Sequence, residues 1–175
     1  MKEKLDSLAA RLRSGNRPAA EEFVTLYIGS VYQLLRRLGH SHHISEELTQ
    51  EAFMTAWQKI GQLRDGRALD TWLFRITVNC SREFWRRSKK NGCLEIELIK
   101  DCVVAPEQGP DAEEKEIMAV LINDVSKLPV KLREVIVLHY LQDLTIASTA
   151  EILDVTKGTV KSRICRALIK LRSQS

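Results

Sequence analysis

Residues 159–172 read TVKSRICRALIKLR, and basic side chains alternate with aliphatic ones along this stretch. If the stretch is helical, one face is aliphatic and can pack inward. That face comprises Val160, Ile164, Ala167 and Leu171, with Leu168 beside them. The opposite side is basic and polar and comprises Lys161, Ser162, Cys165 and Arg166, flanked by Arg163 and Lys170. An ordinary amphipathic helix that closes a domain would show this pattern, and so would a helix that reads DNA.

The residues just upstream favour a DNA-reading helix. A short helix is predicted at 145–153, with an inward face of Ile146, Thr149, Ala150 and Leu153. DVTKG at 154–158 is short enough to force a sharp turn, and Thr156 is placed to cap the following helix. Two short helices joined in this way are typical of a helix-turn-helix, whose second helix enters the major groove. Lys161 and Arg166 could then contact guanine edges or phosphates.

Helical periodicity dominates the rest of the chain, and strand alternation is nearly absent. We therefore predict an all-α fold of two small helical domains joined by a flexible linker. The predicted boundaries are 1–90 for the first domain, 91–112 for an acidic linker and 113–175 for the second domain. In the first domain, helices are predicted at 5–12, 20–38, 45–60 and 71–87, with Ser45 as the N-cap of the third. In the second domain, helices are predicted at 113–126, 130–141, 145–153 and 156–171.

Charge is distributed in blocks along the chain, whose net charge is +4. Residues 1–90 carry +6, residues 91–126 carry −7 and residues 127–175 carry +5. Two basic segments around an acidic one indicate two modules that face a polyanion. The four cysteines form no CxxC pair, which is typical of a reducing compartment. Because no signal core or membrane-length apolar run is present, we expect a soluble cytoplasmic protein without direct membrane insertion.

The sequence lacks the motifs of an enzyme or of a cofactor-binding protein. It contains no Gly-rich phosphate loop, no metal-ligand cluster and no nucleophile–base pair at motif spacing. We therefore predict no catalytic residue, no metal site and no cofactor. The spacing of HSHH at 40–43 suits no common helical ligand pair, so a surface loop is favoured there over a zinc site.

Two separate groups of motifs resemble bacterial RNA polymerase sigma factors of the sigma-70 family, and most of all the extracytoplasmic-function (ECF) group. LPVKLREVIVLHYLQDLTIASTAEILDVTKGTVKSRICRALIKLR at 128–172 resembles region 4 of that group. EEFVTLYIGSVYQLLRRLG at 21–39, SEELTQEAFMTAW at 45–57 and LDTWLFRITVNCSREFWRR at 69–87 resemble its region 2 in order and spacing. The resemblance implies a factor that binds core RNA polymerase and directs promoter-specific initiation by reading −10 and −35 elements.

The resemblance implies that the helix predicted at 45–60 docks on the clamp coiled coil of the largest polymerase subunit. Its inner side is predicted to comprise Leu48, Ala52, Phe53, Ala56, Trp57 and Ile60. Its outer stripe, spaced i, i+3, i+4 and i+7, is predicted to comprise Glu47, Gln50, Glu51 and Met54. Such a stripe suits a basic partner helix, although an ordinary solvated face would look the same. The predicted core-binding residues are Glu47, Leu48, Gln50, Glu51 and Met54.

The resemblance also implies that the loop at 61–70 and the helix after it handle the −10 element. Opening DNA there requires a pocket for an unstacked base and contacts to the strand's phosphates. The predicted −10 residues are Arg67, Ala68, Leu69, Asp70, Arg75, Asn79, Arg82 and Arg86. Among the nearby aromatic residues, we expect Trp72 and Phe74 in the core and Trp85 as a candidate for base stacking.

For the −35 element, the implied contacts lie in the first turns of the C-terminal helix. They are Lys157, Gly158, Thr159, Lys161, Ser162, Arg163, Cys165 and Arg166. The family also implies contact with the polymerase flap region and with an inhibitory anti-sigma factor, which could hold the protein at the inner membrane.

The sequence departs from the family pattern in the helix-turn-helix. Ser148 and Thr149 stand where an acidic and an aliphatic residue are usual, which predicts looser packing of the first helix. Asp154 replaces the usual glycine of the turn, and aspartate tolerates the left-handed conformation better than most residues. The alternative function is a stand-alone helix-turn-helix regulator that binds duplex DNA as a dimer. It would need neither the outer stripe at 47–54 nor the loop at 61–70.

Overall fold

The structure is a computed structural model, and it describes residues 2–90 and 120–173. These residues form α-helices and short helical turns with no strand among them, which confirms the all-α prediction. The linker predicted at 91–112 lies outside the described residues, as does the first part of the helix predicted at 113–126. No helix within the described ranges is both long enough and apolar enough to cross a membrane.

Residues 2–90 form an N-terminal bundle of α1 (Lys2–Arg13), α2 (Arg17–Arg37), α3 (His42–Lys59) and α4 (Leu69–Lys90). Short 3₁₀ turns at Ile60–Gln62 and Gly66–Ala68 connect α3 to α4. The apolar stripe of each helix faces a shared core, which accounts for the 3.6-residue period in the sequence. Buried core residues include Leu8, Leu12, Phe23, Val31, Leu34, Leu48, Ala52, Leu69, Leu73 and Val78.

Two residues determine the corner between α2 and α3. Gly39 has a φ of +97°, a conformation that residues with a side chain rarely adopt. Ser41 then caps α3, and its Oγ accepts a hydrogen bond from the Ile44 N–H at 3.4 Å. The predicted N-cap at Ser45 is therefore wrong. Ser45 is buried inside the first turns of α3, and its hydroxyl donates to the His40 carbonyl at 3.5 Å.

Residues 120–173 form a C-terminal bundle. It contains α5 (residues 120–126), α6 (Val130–Ile136), α7 (Ile146–Leu153) and α8 (Lys157–Arg172). Pro129 separates α5 from α6, as predicted. The helix predicted to run through Leu141 instead changes to a π-helical turn at Val137–Leu141, and the Gln142 N–H bonds the Val137 carbonyl at 2.9 Å. The buried core includes Val125, Leu128, Val135, Leu138, Ile152, Leu153, Val160 and Ala167.

The two bundles pack directly against each other. α7 lies against α4, and α2 meets the π-helical turn. Arg82 of α4 forms an ion pair with Glu134 of α6, whose side chain is only 3% exposed. Arg133 donates to the Leu38 carbonyl at 2.7 Å, and Arg37 donates to the Leu141 carbonyl at 2.5 Å. Buried apolar residues of both bundles belong to one core cluster, so the contact between the bundles is polar as well as apolar, and arginines from both sides cross it.

Candidate nucleic-acid and protein interfaces

The C-terminal helix α8 separates an inward aliphatic face from an outward basic face. Val160 and Ala167 are fully buried and Ile164 is nearly so, as predicted, whereas Leu168 is 37% exposed and Leu171 is half-buried. Six of the predicted −35 residues are exposed: Lys157, Gly158, Lys161, Ser162, Cys165 and Arg166. The other two, Thr159 and Arg163, are half-buried. The helix thus presents a continuous basic and polar surface next to its N-terminus.

The turn before α8 has the geometry of a helix-turn-helix. Asp154 ends α7 in the left-handed conformation, with φ 55° and ψ 52°. The aspartate therefore adopts the conformation expected of the glycine that it replaces in this turn. Thr156 then caps α8, and its Oγ1 accepts from the Thr159 N–H at 3.1 Å. In α7, Thr149 is fully buried, and its Oγ1 has no hydrogen-bond partner within the described part of the chain.

On α4, four of the predicted −10 residues recur at intervals of four, three and four residues, which places them along one side of the helix. We call this set the α4 stripe: Arg75, Asn79, Arg82 and Arg86. Arg75, Asn79 and Arg86 are exposed, while the side chain of Arg82 is 36% exposed and pairs with Glu134. Arg86 also pairs with Glu83 of its own helix at 2.7 Å. Cationic side chains spaced along one line can follow a nucleic-acid backbone.

The loop that precedes α4 presents only part of the predicted −10 pocket at its surface. Arg67 is exposed, and its guanidinium donates to both carboxylate oxygens of Asp65 at 2.9 and 3.1 Å. Ala68 and Asp70 are half-buried, and the Asp70 carboxylate accepts from the Thr71 N–H at 2.7 Å. Leu69, the first residue of α4, is fully buried in the core, so its side chain anchors the end of the loop and is not at the surface. A ligand at this loop would therefore meet Arg67, Ala68 and Asp70.

The outward side of α3 carries the predicted acidic and amide stripe, which we call the α3 stripe. Glu47, Gln50 and Met54 are exposed, and the Glu51 side chain is 44% exposed. Both carboxylates of the stripe have weak partners, His43 at 3.3 Å for Glu47 and Arg87 at 3.4 Å for Glu51. The core-binding candidate Leu48 is 2% exposed and belongs to the inner face of α3.

The rest of the inner face of α3 follows the prediction except at one end. Ala52 and Ala56 are buried, and Phe53 and Ile60 are half-buried. Trp57 was expected on the inner side, but it is 45% exposed. The reason is geometric, because Trp57 lies one residue, or about 100°, around the helix from the buried Ala56.

Beside the α3 stripe lies an apolar groove of about 600 Å³ between α2 and α3, which was not predicted from the sequence. Val24, Ile28, Phe53 and Met54 provide its apolar lining, and polar groups of Tyr32, His42, Glu46 and Gln50 surround it. Tyr32 Oη and His42 Nδ1 are 2.6 Å apart at this rim. Val24 and Ile28 are exposed and four residues apart, outside the buried stripe of α2, and that spacing was the available signal.

His40 and Trp85 occupy positions that the sequence did not predict. His40 was expected in a surface loop, but it is fully buried, and its Nε2 is 2.7 Å from the Ser81 hydroxyl. Trp85, the candidate for base stacking, is half-buried and stacks on the His40 ring at a centroid distance of 5.0 Å. Burial, and then the positive charge of Arg133, lowers the pKa of His40 to about 3. Trp72 and Phe74 are buried, as predicted.

His42 and His43 are exposed at the start of α3, four residues before Glu46 and Glu47. Over residues 2–90 and 120–173, no group of three or more His, Cys, Asp or Glu side chains is arranged to hold a metal ion.

Comparisons with known proteins match both bundles. The family model "Sigma-70 region 2" matches residues 23–91, and "Sigma-70, region 4" matches residues 123–171. The chain is 32% identical over 173 residues to the ECF RNA polymerase sigma factor SigW of Bacillus subtilis, covering 94% of this chain and 92% of that protein. It is 30% identical over 170 residues to the ECF RNA polymerase sigma-E factor of Haemophilus influenzae, covering 92% and 89% of the two chains.

Solved structures share the fold. CnrH, in a complex with the cytosolic domain of CnrY, matches with a TM-score of 0.73 and 24% identity over 97% of this chain and 96% of that chain. The sigma factor RpoE of Bartonella quintana, in a complex with the anti-sigma factor NepR, matches with a TM-score of 0.67 and 23% identity over 87% and 94%.

Proposed function

Because the chain belongs to the ECF group of the sigma-70 family of RNA polymerase sigma factors, we propose that it directs core polymerase to promoters through three surfaces. These are the basic face of α8, the α4 stripe with the loop before it, and the α3 stripe with the α2–α3 groove. The domain boundaries that we propose are 1–90 for region 2 and 113–175 for region 4. In this role the chain binds promoter DNA and positions the polymerase on it, while the polymerase forms the bonds of the RNA chain.

The basic face of α8 is the surface that we assign to the −35 element. A helix of this size, capped by Thr156 and exposing Lys161, Ser162 and Arg166, fits the major groove of a duplex. Phosphate contacts from Lys157 at the helix start would fix its register, and base contacts from Arg166 would supply specificity. This outward basic face on a helix-turn-helix is the observation that carries the proposal.

The α4 stripe and the loop residues Arg67, Ala68 and Asp70 are the surface that we assign to the −10 element. The guanidinium groups of the stripe would neutralise phosphates of the separated strand. The amide of Asn79 is exposed in the middle of the stripe, where it can pair with a base edge.

The α3 stripe and the α2–α3 groove are the surface that we assign to core polymerase. The exposed Glu47 and the half-buried Glu51 lie on the same helix as Phe53 and Met54, which belong to the lining of the groove. A partner helix with an apolar ridge and flanking arginines or lysines fits both features. We infer that an anti-sigma factor would compete for this same apolar groove, and that membrane localisation would come from such a partner. Polymerase contacts of the C-terminal bundle, including the flap region, are part of the same proposal.

Run-off transcription tests the assignment of the α3 stripe. Core polymerase is combined with the wild-type chain, with a Glu47→Lys/Glu51→Lys variant, and with a Glu21→Lys/Glu22→Lys control on a promoter library. The control makes the same charge change at exposed residues of α2. We expect the first variant to lose core binding and initiation by at least about tenfold, and the control to retain both. Equal activity of the two variants would remove the α3 stripe from the proposal. Failure of the wild-type chain to join core polymerase would overturn the proposal as a whole.

A further inference from the structure

The N-terminal helix α1 packs on the α3–α4 loop (residues 60–68), which is part of the surface that we assign to the −10 element. Its contact with the turn at Gly66–Ala68 is more extensive than its contact with α2 or α4. Buried residues of α1 and of the chain on either side of this turn belong to one core: Leu8, Ala9, Leu12, Leu63 and Leu69. α1 lies outside the range 23–91 that matches sigma-70 region 2, so that match assigns no role to α1.

Gly66 allows α1 to lie this close to the loop. It is buried, and a Cβ built on it would be 2.5 Å from Asp6 Oδ1, 2.7 Å from Asp6 Cα and 2.8 Å from Ala9 Cβ. The Cα of Asp6 belongs to the backbone, so rotation of a side chain cannot relieve this collision. Nearer the start of the loop, Arg13 of α1 donates to the Leu63 carbonyl at 3.4 Å. A side chain at residue 66 would therefore push α1 and the loop apart.

Carboxylates of the loop and of α1 both act on Arg67. Asp65 Oδ1 accepts from the Arg67 backbone N–H at 3.0 Å and from Arg67 Nε at 2.9 Å. The pKa of Arg67 is raised, first by this side-chain hydrogen bond and further by the charges of Asp65 and Asp6. Ion pairs between side chains this exposed contribute little to stability. Their effect here is on where the Arg67 guanidinium is held.

We propose that α1 is a positioning element of the −10 surface: through its contact with Gly66 and the charge of Asp6, it holds the α3–α4 loop in the conformation that receives an unstacked base. This inference rests on the proposed function of the loop. An ordered loop loses little conformational freedom when it binds, and its fixed shape discriminates between bases. Gly66 and Asp6 are positioning residues that act through Arg67, Ala68 and Asp70, which we assign to the base pocket.

The first test uses a Gly66→Ala variant of the full chain with core polymerase. Run-off transcription on a promoter library measures base preference at each promoter position. We expect preference at the −10 positions to fall about tenfold, because the loop is displaced, and preference at the −35 positions to stay unchanged. The matched control is Gly61→Ala in the same loop, where no neighbouring atom lies within 4 Å of a built Cβ. A variant that is merely less stable would lower transcription from all promoters alike.

The second test measures the order of the loop without DNA or polymerase. The Ala68 N–H donates to the Asp65 carbonyl at 3.1 Å, and the Arg67 N–H donates to the Asp65 carboxylate, so both amides should be protected from hydrogen exchange. We expect these amides to exchange at least about fivefold faster in Gly66→Ala than in the wild type or in Gly61→Ala. Nuclear magnetic resonance measures the rates.

A third variant, Asp6→Asn, leaves the packing contact at Gly66 in place and removes only the charge of α1 next to the loop. We expect preference at the −10 positions to fall about threefold, since the electrostatic effect of one exposed carboxylate is small. Glu3→Gln, the same charge change one turn earlier in α1, is its control and should keep the preference. Circular dichroism checks that each variant is folded, and Asp6→Asn decides the question if Gly66→Ala is not.

The outcomes separate this inference from the proposed function. If Gly66→Ala and Asp6→Asn select bases as their controls do, the positioning role is wrong even when the wild type selects both promoter elements, and faster exchange in the loop would not rescue it. Loss of −10 preference in Gly66→Ala alone supports the packing contact and removes Asp6 from the inference. If the wild type joins core polymerase without any −10 preference, the proposed function of the loop fails, and the inference fails with it.

Discussion

The Arg133 guanidinium occupies the space that a side chain at residue 39 would need. A Cβ built on Gly39 collides with Arg133 Nη1, which donates to the carbonyl of the preceding residue, Leu38, at 2.7 Å. Gly39 also has a φ of +97°. The glycine is therefore needed twice. Its positive φ forms the corner between α2 and α3, and its lack of a side chain leaves room for Arg133 of the C-terminal bundle.

A Gly39→Ala variant should lose stability and weaken the contact between the bundles. We expect the free energy of unfolding to fall by at least about 1 kcal/mol, because alanine is strained at this φ and displaces Arg133. Urea denaturation measures the loss, and small-angle scattering measures the separation of the bundles. The matched control is Gly29→Ala, because no neighbouring atom lies within 4 Å of a Cβ built there in the middle of α2. Equal stability of the two variants would contradict this account of the corner.

Local pattern was sufficient to predict the helices and much of the core. Val31, Leu48, Ala52 and Val160 are buried where the 3.6-residue period places them, since one packed layer decides their environment. The prediction for His40 was wrong because distant residues bury it. Phe84 and Trp85 of α4 pack on its ring, and Arg133 of the other bundle is close enough to lower its pKa. A sequence pattern carries no information on such a contact.

The candidate surfaces show the same difference between features that helical spacing predicts and features that depend on tertiary packing. Outward positions of α8 and α3 follow from helical spacing once the inward face is known, so Lys161, Arg166 and Glu47 are exposed as predicted. The ion pair of Arg82 with Glu134 spans 52 residues of sequence and depends on how the bundles meet. The α2–α3 groove likewise depends on the distance at which the two helices pack, which helical spacing does not determine. The spacing of Val24 and Ile28 indicates an apolar line on α2, but it does not place α3 beside that line.

Arg166 should contribute to promoter recognition through its contact with DNA. Its guanidinium is exposed, and its hydrogen bonds within the described residues are two long ones, at 3.4 Å, to the backbone carbonyl and the hydroxyl of Ser162, so it can reorient toward a base. On a promoter selected with the wild-type chain, Arg166→Ala should reduce affinity of the polymerase complex by about 1–3 kcal/mol and relax preference at one base position. Arg172→Ala, at the far end of the same helix, is the control and should leave preference unchanged. Unaltered preference in Arg166→Ala would remove this residue from base recognition.

His40 should make the protein less stable as the pH falls below neutrality. Its pKa is about 3 in the folded protein, whereas an unfolded histidine titrates near 6.5. Between these values the unfolded chain binds a proton that the folded protein does not. The stability that His40 contributes is therefore fully present above about pH 6.5 and declines as the pH falls, by about 2 kcal/mol between pH 6.5 and 5.

Urea denaturation across this pH range measures the effect as the difference between the wild-type and His40→Gln profiles. Glutamine keeps a polar group near the Ser81 hydroxyl, which lies 2.7 Å from His40 Nε2, but it cannot take up the proton. We expect His40→Gln to be less stable than the wild type at pH 7.5, because stacking on Trp85 is lost, and to lose less stability on acidification. His43→Gln, which makes the same substitution at an exposed histidine, is the matched control for the change of side chain. Parallel profiles for the wild type and His40→Gln would mean that His40 takes up its proton equally in both states, which is incompatible with its burial between α4 and Arg133.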